Sequence, residues 1–290
     1  MSRKSRFDLV LASAFALLIG LLFHPEAQGQ NRGETVWIPM QDKGLFGTRE
    51  IKLEATLYKP QGAGPFAVVI FNHGSTGSGA IPADRTENPS GYGAYLLKKG
   101  IALLIPMRRG RGKSEGTYHE LYDCSLHQSR WGIDYAIESL DAVYSYLGRQ
   151  PWADMNRILL SGTSRGGILS VVYAAERRGS AIGVLNFVGG WTPESCNFRA
   201  GTDINAVIFK EAGTKSKVPN LFLYAANDSY YGVSSIEKYP EVFREGGGSV
   251  EYKLYTLPEG VDGHSLFYRH WTSWVPDVDT FLAKLGVWKP

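Results

Sequence analysis

The chain has 290 residues, 43% of them hydrophobic and 20% charged, with a formal net charge of +3. That length supports one α/β domain with a large core and excludes two well-built ones. The near-neutral charge argues against a nucleic-acid partner: the densest basic run, Arg108, Arg109, Arg111 and Lys113, is short, lacks interleaved aromatics and reads as a solvated loop.

The first element is a targeting segment. Arg3, Lys4 and Arg6 precede an apolar stretch from Leu9 to Phe23, and Pro25 and Ala27-Gln28-Gly29 follow it, as in a secretory signal with a small-residue cleavage site. The apolar stretch is shorter than the roughly 20 residues a comfortable membrane span needs. Asp8 at its boundary keeps an uncleaved anchor open as the alternative. Residues 1–29 are therefore expected to leave a single domain over residues 30–290, secreted or periplasmic.

Strand and helix patterns then alternate. Strands are expected at Thr35 to Ile38, Ile51 to Tyr58, Phe66 to Asn72, Ile101 to Pro106, Arg157 to Leu160, Ile182 to Val188, Asn220 to Ala225 and Val250 to Thr256. The first two alternate polar and apolar residues around the turn-rich Gln41 to Gly47, as an antiparallel edge hairpin does. The last six read as mostly continuous apolar runs, the mark of strands covered on both faces. Helices are expected at Gly91 to Lys99, Trp131 to Leu147, Gly167 to Arg178, Ser234 to Arg244 and Pro276 to Leu285. This rhythm specifies a mostly parallel, eight-stranded α/β sheet with helices on both faces, and ligands then bind beyond the carboxyl ends of the strands.

The fifth strand runs into Gly162-Thr163-Ser164-Arg165-Gly166, with an apolar helix pattern behind it. Strand, sharp turn and helix are the context in which G-x-S-x-G exposes a nucleophilic serine. A second match, Gly112-Lys113-Ser114-Glu115-Gly116, has no apolar helix behind it and reads as a loop. A serine needs a base, and the base needs a carboxylate. His264, in a loop after the last strand, is the expected base; His73, His119, His127 and His270 read as loop or surface residues. Asp228, just after the seventh strand, is the favoured acid, with Asp262 and Asp203 as alternatives. The oxyanion donors are expected to be the backbone N–H groups of Arg165 and Ser75, Thr76 being the neighbouring choice for the second.

These residues resemble the α/β-hydrolases, and among them the dienelactone hydrolase and prolyl oligopeptidase-like branch. The likeness rests on the His-Gly turn at 73 and 74, Arg-Gly-x-Gly-x-Ser at 109–114, the serine elbow, Asp228 and the Gly-His pair at 263 and 264, in the order nucleophile, acid, histidine. It implies the α/β-hydrolase fold and a Ser164–His264–Asp228 triad. The nucleophile is Ser where dienelactone hydrolases proper use Cys, and no propeller precedes the domain. The segment from Gly189 to Pro219 is long enough only for a small cap, so an open site for modest esters is expected.

No H-E-x-x-H or paired-cysteine cluster implies a metal. Gly112-Lys113-Ser114 is not the end of a phosphate loop, because Met107 stands where its first glycine belongs. No cofactor is expected. The two cysteines, Cys124 and Cys196, are expected to form a disulfide, since both follow strands on the carboxyl-end face of an exported protein. The sequence thus reads as an exported serine esterase acting on a small-molecule ester. An aminopeptidase or amidase with the same triad, and a catalytically idle binding protein, remain open.

Overall fold

The computed structural model describes residues 33–44, 47–76, 81–120 and 123–289. The expected signal segment, residues 1–29, lies outside them. Eight strands form one sheet: β1 (Glu34–Gly44), β2 (Gly47–Tyr58), β3 (Phe66–Asn72), β4 (Ala102–Pro106), β5 (Ala153–Thr163), β6 (Gly183–Phe187), β7 (Asn220–Ala225) and β8 (Val250–Tyr255). Their spatial order is β1-β2-β4-β3-β5-β6-β7-β8. The expected hairpin forms, with β1 antiparallel to β2 and β2 antiparallel to β4. Every other pairing is parallel.

The continuous apolar runs account for the parallel core. Val68, Val69, Ile70 and Phe71 of β3 and Leu103, Leu104 and Ile105 of β4 are fully buried. Each such side chain stabilises the fold by about 1.5–3 kcal/mol relative to exposure. β8 departs from the expectation: it is an edge strand and its residues are mostly half-buried. Its sequence, VEYKLY, alternates polar and apolar residues as one covered face demands.

The helices are α1 (Ser90–Leu97), α2 (Leu126–Leu147), α3 (Arg165–Glu176), α4 (Ser195–Ala200), α5 (Ile204–Lys215), α6 (Val233–Glu245), α7 (Leu266–Arg269) and α8 (Trp271–Lys284). α2 starts well before Trp131 because the Ser125 side chain accepts a hydrogen bond from the Gln128 N–H at 3.1 Å and caps it. α8 begins at Trp271, with Pro276 inside it. Its first turn is held by tertiary packing, Trp274 lying 5.0 Å from Phe187 and 5.8 Å from Phe267 between ring centroids.

The segment from Gly189 to Pro219 divides in two. α5, capped by Asp203 accepting from the Ala206 N–H at 3.0 Å, packs against α3 and α6 as an ordinary crossover helix. What is left for the small cap is the stretch around Trp191 and the short α4.

Candidate active site

β5 ends at Thr163 and α3 starts at Arg165, so Ser164 occupies the turn between them, at φ 54° and ψ −124°. That conformation is costly for a residue with a Cβ, on the order of 1–3 kcal/mol, and persists only where the surroundings impose it. Here the Ser164 N–H donates to the Phe187 carbonyl at 3.0 Å. The flanking glycines are required by contact. A Cβ on Gly166 would lie 1.9 Å from the Asn72 carbonyl oxygen, and one on Gly162 would lie 2.2 Å from the Gly166 carbonyl oxygen.

Asp228, in the loop after β7, and His264, in a single 3-10 turn after β8, come together across 36 residues of chain. The His264 Nδ1 lies 2.9 Å from the Asp228 Oδ2, and the Asp228 carboxylate is fully buried. Its other oxygen accepts the N–H groups of Tyr230 and Tyr231 at 2.8 and 3.1 Å. The two alternative acids have other work. Asp262 accepts from the Ser229 N–H and hydroxyl and from the His264 N–H, fixing the turn that carries the histidine. Asp203 caps α5.

Ser164 and His264 line one cleft of about 690 Å³ together with Ser75, Thr76 and Arg165. Gly74 lets the β3 loop approach the elbow, a Cβ there meeting the Ser164 Cβ at 3.2 Å. The sequence reading assigned no role to several side chains of this cleft, among them Glu87, Tyr231, Trp191 and Tyr268. Tyr231 is buried, and its phenol lies within hydrogen-bonding reach of the Ser164 hydroxyl. Burial, and then the Asp228 carboxylate, hold this phenol well above its ordinary pKa, so it stays protonated. The pattern Asp-x-x-Tyr after a strand is too common to have singled it out.

Two expectations fail beside the cleft. His73 is not a surface residue: it is buried, its Nδ1 meets the Gly74 carbonyl at 2.7 Å, and its Nε2 accepts the Arg108 N–H at 3.2 Å. Burial, reinforced by the Arg108 guanidinium, pushes its pKa well down and keeps it neutral. Nor are Arg108 and Arg109 a solvated loop. Arg108 forms a fully buried two-armed ion pair with Glu120 at 2.5 and 2.9 Å and also donates to the His73 carbonyl at 3.0 Å. Arg109 pairs with Asp42 and Glu138, each at 2.9 Å, and stacks over Tyr135 at 3.5 Å. The Glu120 carbonyl in turn accepts from the Arg165 side chain at 2.7 Å. Arg108 therefore braces the His73-Gly74 turn, and through Glu120 the elbow, because its charge meets a buried carboxylate; Arg111, by contrast, stays partly exposed and Lys113 exposed.

The disulfide forms between Cys124 and Cys196, whose Cα atoms are 4.7 Å apart. It ties the entry of α2 to α4. Among the described residues no group of His, Cys, Asp or Glu could hold a metal, and no helix is long and apolar enough to cross a membrane.

No curated protein matches this chain. Solved structures match its fold. A candidate dienelactone hydrolase from Klebsiella pneumoniae is 19% identical, with a TM-score of 0.58 over 87% of this chain and 99% of its own. A thermophilic esterase from Thermogutta terrifontis is 15% identical, with a TM-score of 0.58 over 90% and 95%. A candidate dipeptidyl aminopeptidase IV from Bacteroides ovatus is 14% identical, with a TM-score of 0.63 over 86% of this chain but only 36% of its own. These identities are low enough that the likeness is one of fold, an eight-stranded, mostly parallel sheet with helices. The sequence pattern of the phospholipase/carboxylesterase family matches residues 60–253, which run from before β3 into β8 and contain both Ser164 and Asp228. On that match and this fold, the chain belongs to the phospholipase/carboxylesterase family of the α/β-hydrolase superfamily.

Proposed function

We propose that the protein hydrolyses carboxylic esters of small molecules through an acyl-enzyme, with Ser164 as nucleophile, His264 as base and Asp228 as the acid that orients it. The observation that carries this reading is a serine held at φ 54° on the wall of the cleft that also presents a histidine bonded to a buried aspartate. Asp228 keeps a proton on the His264 Nδ1, which leaves Nε2 free to take the Ser164 proton. The Ser164 oxygen attacks the ester carbonyl, and the backbone N–H groups of Arg165 and Ser75 stabilise the charge on its oxygen. His264 then gives the proton to the departing alcohol. Water, deprotonated by the same imidazole, cleaves the acyl-enzyme and releases the acid while Ser164 regains its proton.

Export belongs to the same reading, with residues 1–29 as a cleaved signal and residues 30–290 as the mature domain. The disulfide supports it, because such bonds rarely persist in a reducing cytosol.

The test is covalent labelling with a fluorophosphonate, followed by p-nitrophenyl esters set against aminoacyl-anilides. Labelling of Ser164 with faster ester turnover is expected, and the intact mass of the exported protein should correspond to a chain starting at Gln30. Failure to label would leave a binding protein, and faster anilide turnover an amidase.

A further inference from the structure

The cleft holds one carboxylate that the chemistry above does not use. Glu87, in the segment before α1, is 5% exposed. Its Oε2 accepts the Tyr268 hydroxyl at 3.2 Å, a contact that bridges 181 residues and joins it to the segment carrying His264. Its Oε1 is buried and has no hydrogen-bond partner among the described residues. The other carboxylates lining the cleft are committed: Glu120 spends both oxygens on Arg108, and Asp262 spends both on Ser229 and the His264 N–H. A buried acceptor left unpaired is a standing cost to the fold, and it is a feature of sites whose partner arrives with the ligand.

Resting on the esterase reading, we propose that Glu87 forms a subsite for a protonated amine on the substrate, so that the preferred esters carry an ammonium group. An ammonium brings hydrogen-bond donors and a positive charge to a carboxylate that has no cationic partner among the described residues. The aromatic walls suit it as well: Tyr118, Tyr230, Tyr268 and Trp191 line the same cleft, and ring faces attract such cations. Arg111 also lines the cleft and would favour an anion instead. It is partly exposed to water, however, and its guanidinium lies 3.2 Å above the Tyr118 ring. Its Nε is also buried without a partner, but solvent and ring already meet part of its charge, whereas Glu87 has one phenol and no cation within ion-pair distance among the described residues.

The test uses two isosteric ester pairs: 1-naphthyl glycinate with 1-naphthyl propionate, and 3-aminopropyl butyrate with butyl butyrate. The readout is the ratio of kcat/KM for the ammonium ester to that for its neutral partner, compared between the wild type and Glu87→Gln so that intrinsic reactivity cancels. In at least one pair this ratio should fall about tenfold or more in Glu87→Gln, as expected when a charged contact made by only one substrate is lost. Ratios unchanged in both pairs, with both rates falling together, would show a structural role and overturn the subsite. Turnover of the neutral esters reports on the esterase reading separately. Should Glu87→Gln fail to fold, binding to the wild type decides, followed by the fluorescence of Trp191 and its neighbours. Butylammonium should bind about tenfold more tightly than butanol; equal binding, or tighter binding of butanesulfonate, would overturn the proposal.

Discussion

Two stretches of this chain carry the same five-residue pattern and meet opposite fates. Ser164 sits at φ 54° between a strand and a helix and faces the cleft. Ser114 is buried in a loop, donating to the Met107 carbonyl at 2.6 Å and accepting the Glu54 N–H at 2.8 Å. Both of its hydrogen-bonding roles are spent on joining the loop to β2 and to the end of β4. A serine becomes a candidate nucleophile when the backbone turns it outward into a cleft, and a structural pin when the backbone around it needs its hydroxyl. The flanking glycines differ in the same sense. Gly162 and Gly166 are required by close approach of other backbone, whereas Gly112 and Gly116 are required by positive φ, 57° and 90°.

The sharpest way to break this comparison is to exchange the effects of the two serines. Ser164→Ala should lower kcat by on the order of 10⁶ with the fold retained, as when a catalytic unit loses its nucleophile. Ser114→Ala should leave kcat within about tenfold yet lower stability by about 1–3 kcal/mol, since a buried donor and a buried acceptor lose their partner. Ester kinetics alongside urea unfolding read both quantities, and the reverse pattern would move the nucleophile to Ser114.

The two aspartates near His264 extend the contrast from serines to acids. Asp228→Asn should cost about 10⁴ in kcat, because the amide no longer fixes the histidine tautomer. Asp262→Asn should act mainly on stability by loosening the turn. A larger kinetic loss at Asp262 would reassign the acid.

Next in size is the covalent tie across the cap. Replacing Cys124 and Cys196 together by Ser should remove about 4 kcal/mol of stability, given the 72-residue separation that the bond closes. Thiol titration of the denatured, unreduced wild type should find no free thiol.

The smallest effect concerns His73, which lies beside the elbow but outside the proposed triad. Its folded pKa is lowered from 6.5, so below that value the unfolded chain binds the extra proton and the folded chain does not. Its contribution to stability is complete above the unfolded pKa and is lost as pH falls from there toward the folded pKa. Urea midpoints measured between about pH 7.5 and 5.5 should fall with pH, by at most about 1.4 kcal/mol per unit for this one group. His73→Gln should remove part of that slope; an unchanged slope would mean that His73 does not resist protonation.

The sheet was legible in the sequence because continuous apolar runs have few other ways to be buried, and β3 through β7 appear where the runs stand. The elbow was legible because Gly-x-Ser-x-Gly between a strand pattern and a helix pattern is a local signal, complete within a few residues. Helix starts were less legible: Ser125 capping α2 is local, but Trp274 holding the first turn of α8 against Phe187 and Phe267 is a contact made in space. Arg108 and Arg109 mislead for the same reason, while Arg111, partly exposed, and Lys113, exposed, are the loop residues expected. A charge looks solvated in sequence unless its partner is adjacent, and Glu120, Asp42 and Glu138 become the partners of Arg108 and Arg109 only in the folded chain.

What the sequence determined by itself is the order of the eight strands, five of the helices and a candidate serine and histidine, since these follow from periodicity and from short-range turn chemistry; α4, α5 and α7 it did not place. What only the tertiary structure decided is the choice of Asp228 over Asp262 as the partner of His264, the placing of Tyr231 beside Ser164, and the burial of Glu87 with one oxygen unpaired. Each of these depends on distances between residues far apart along the chain, and a one-dimensional pattern carries no distances.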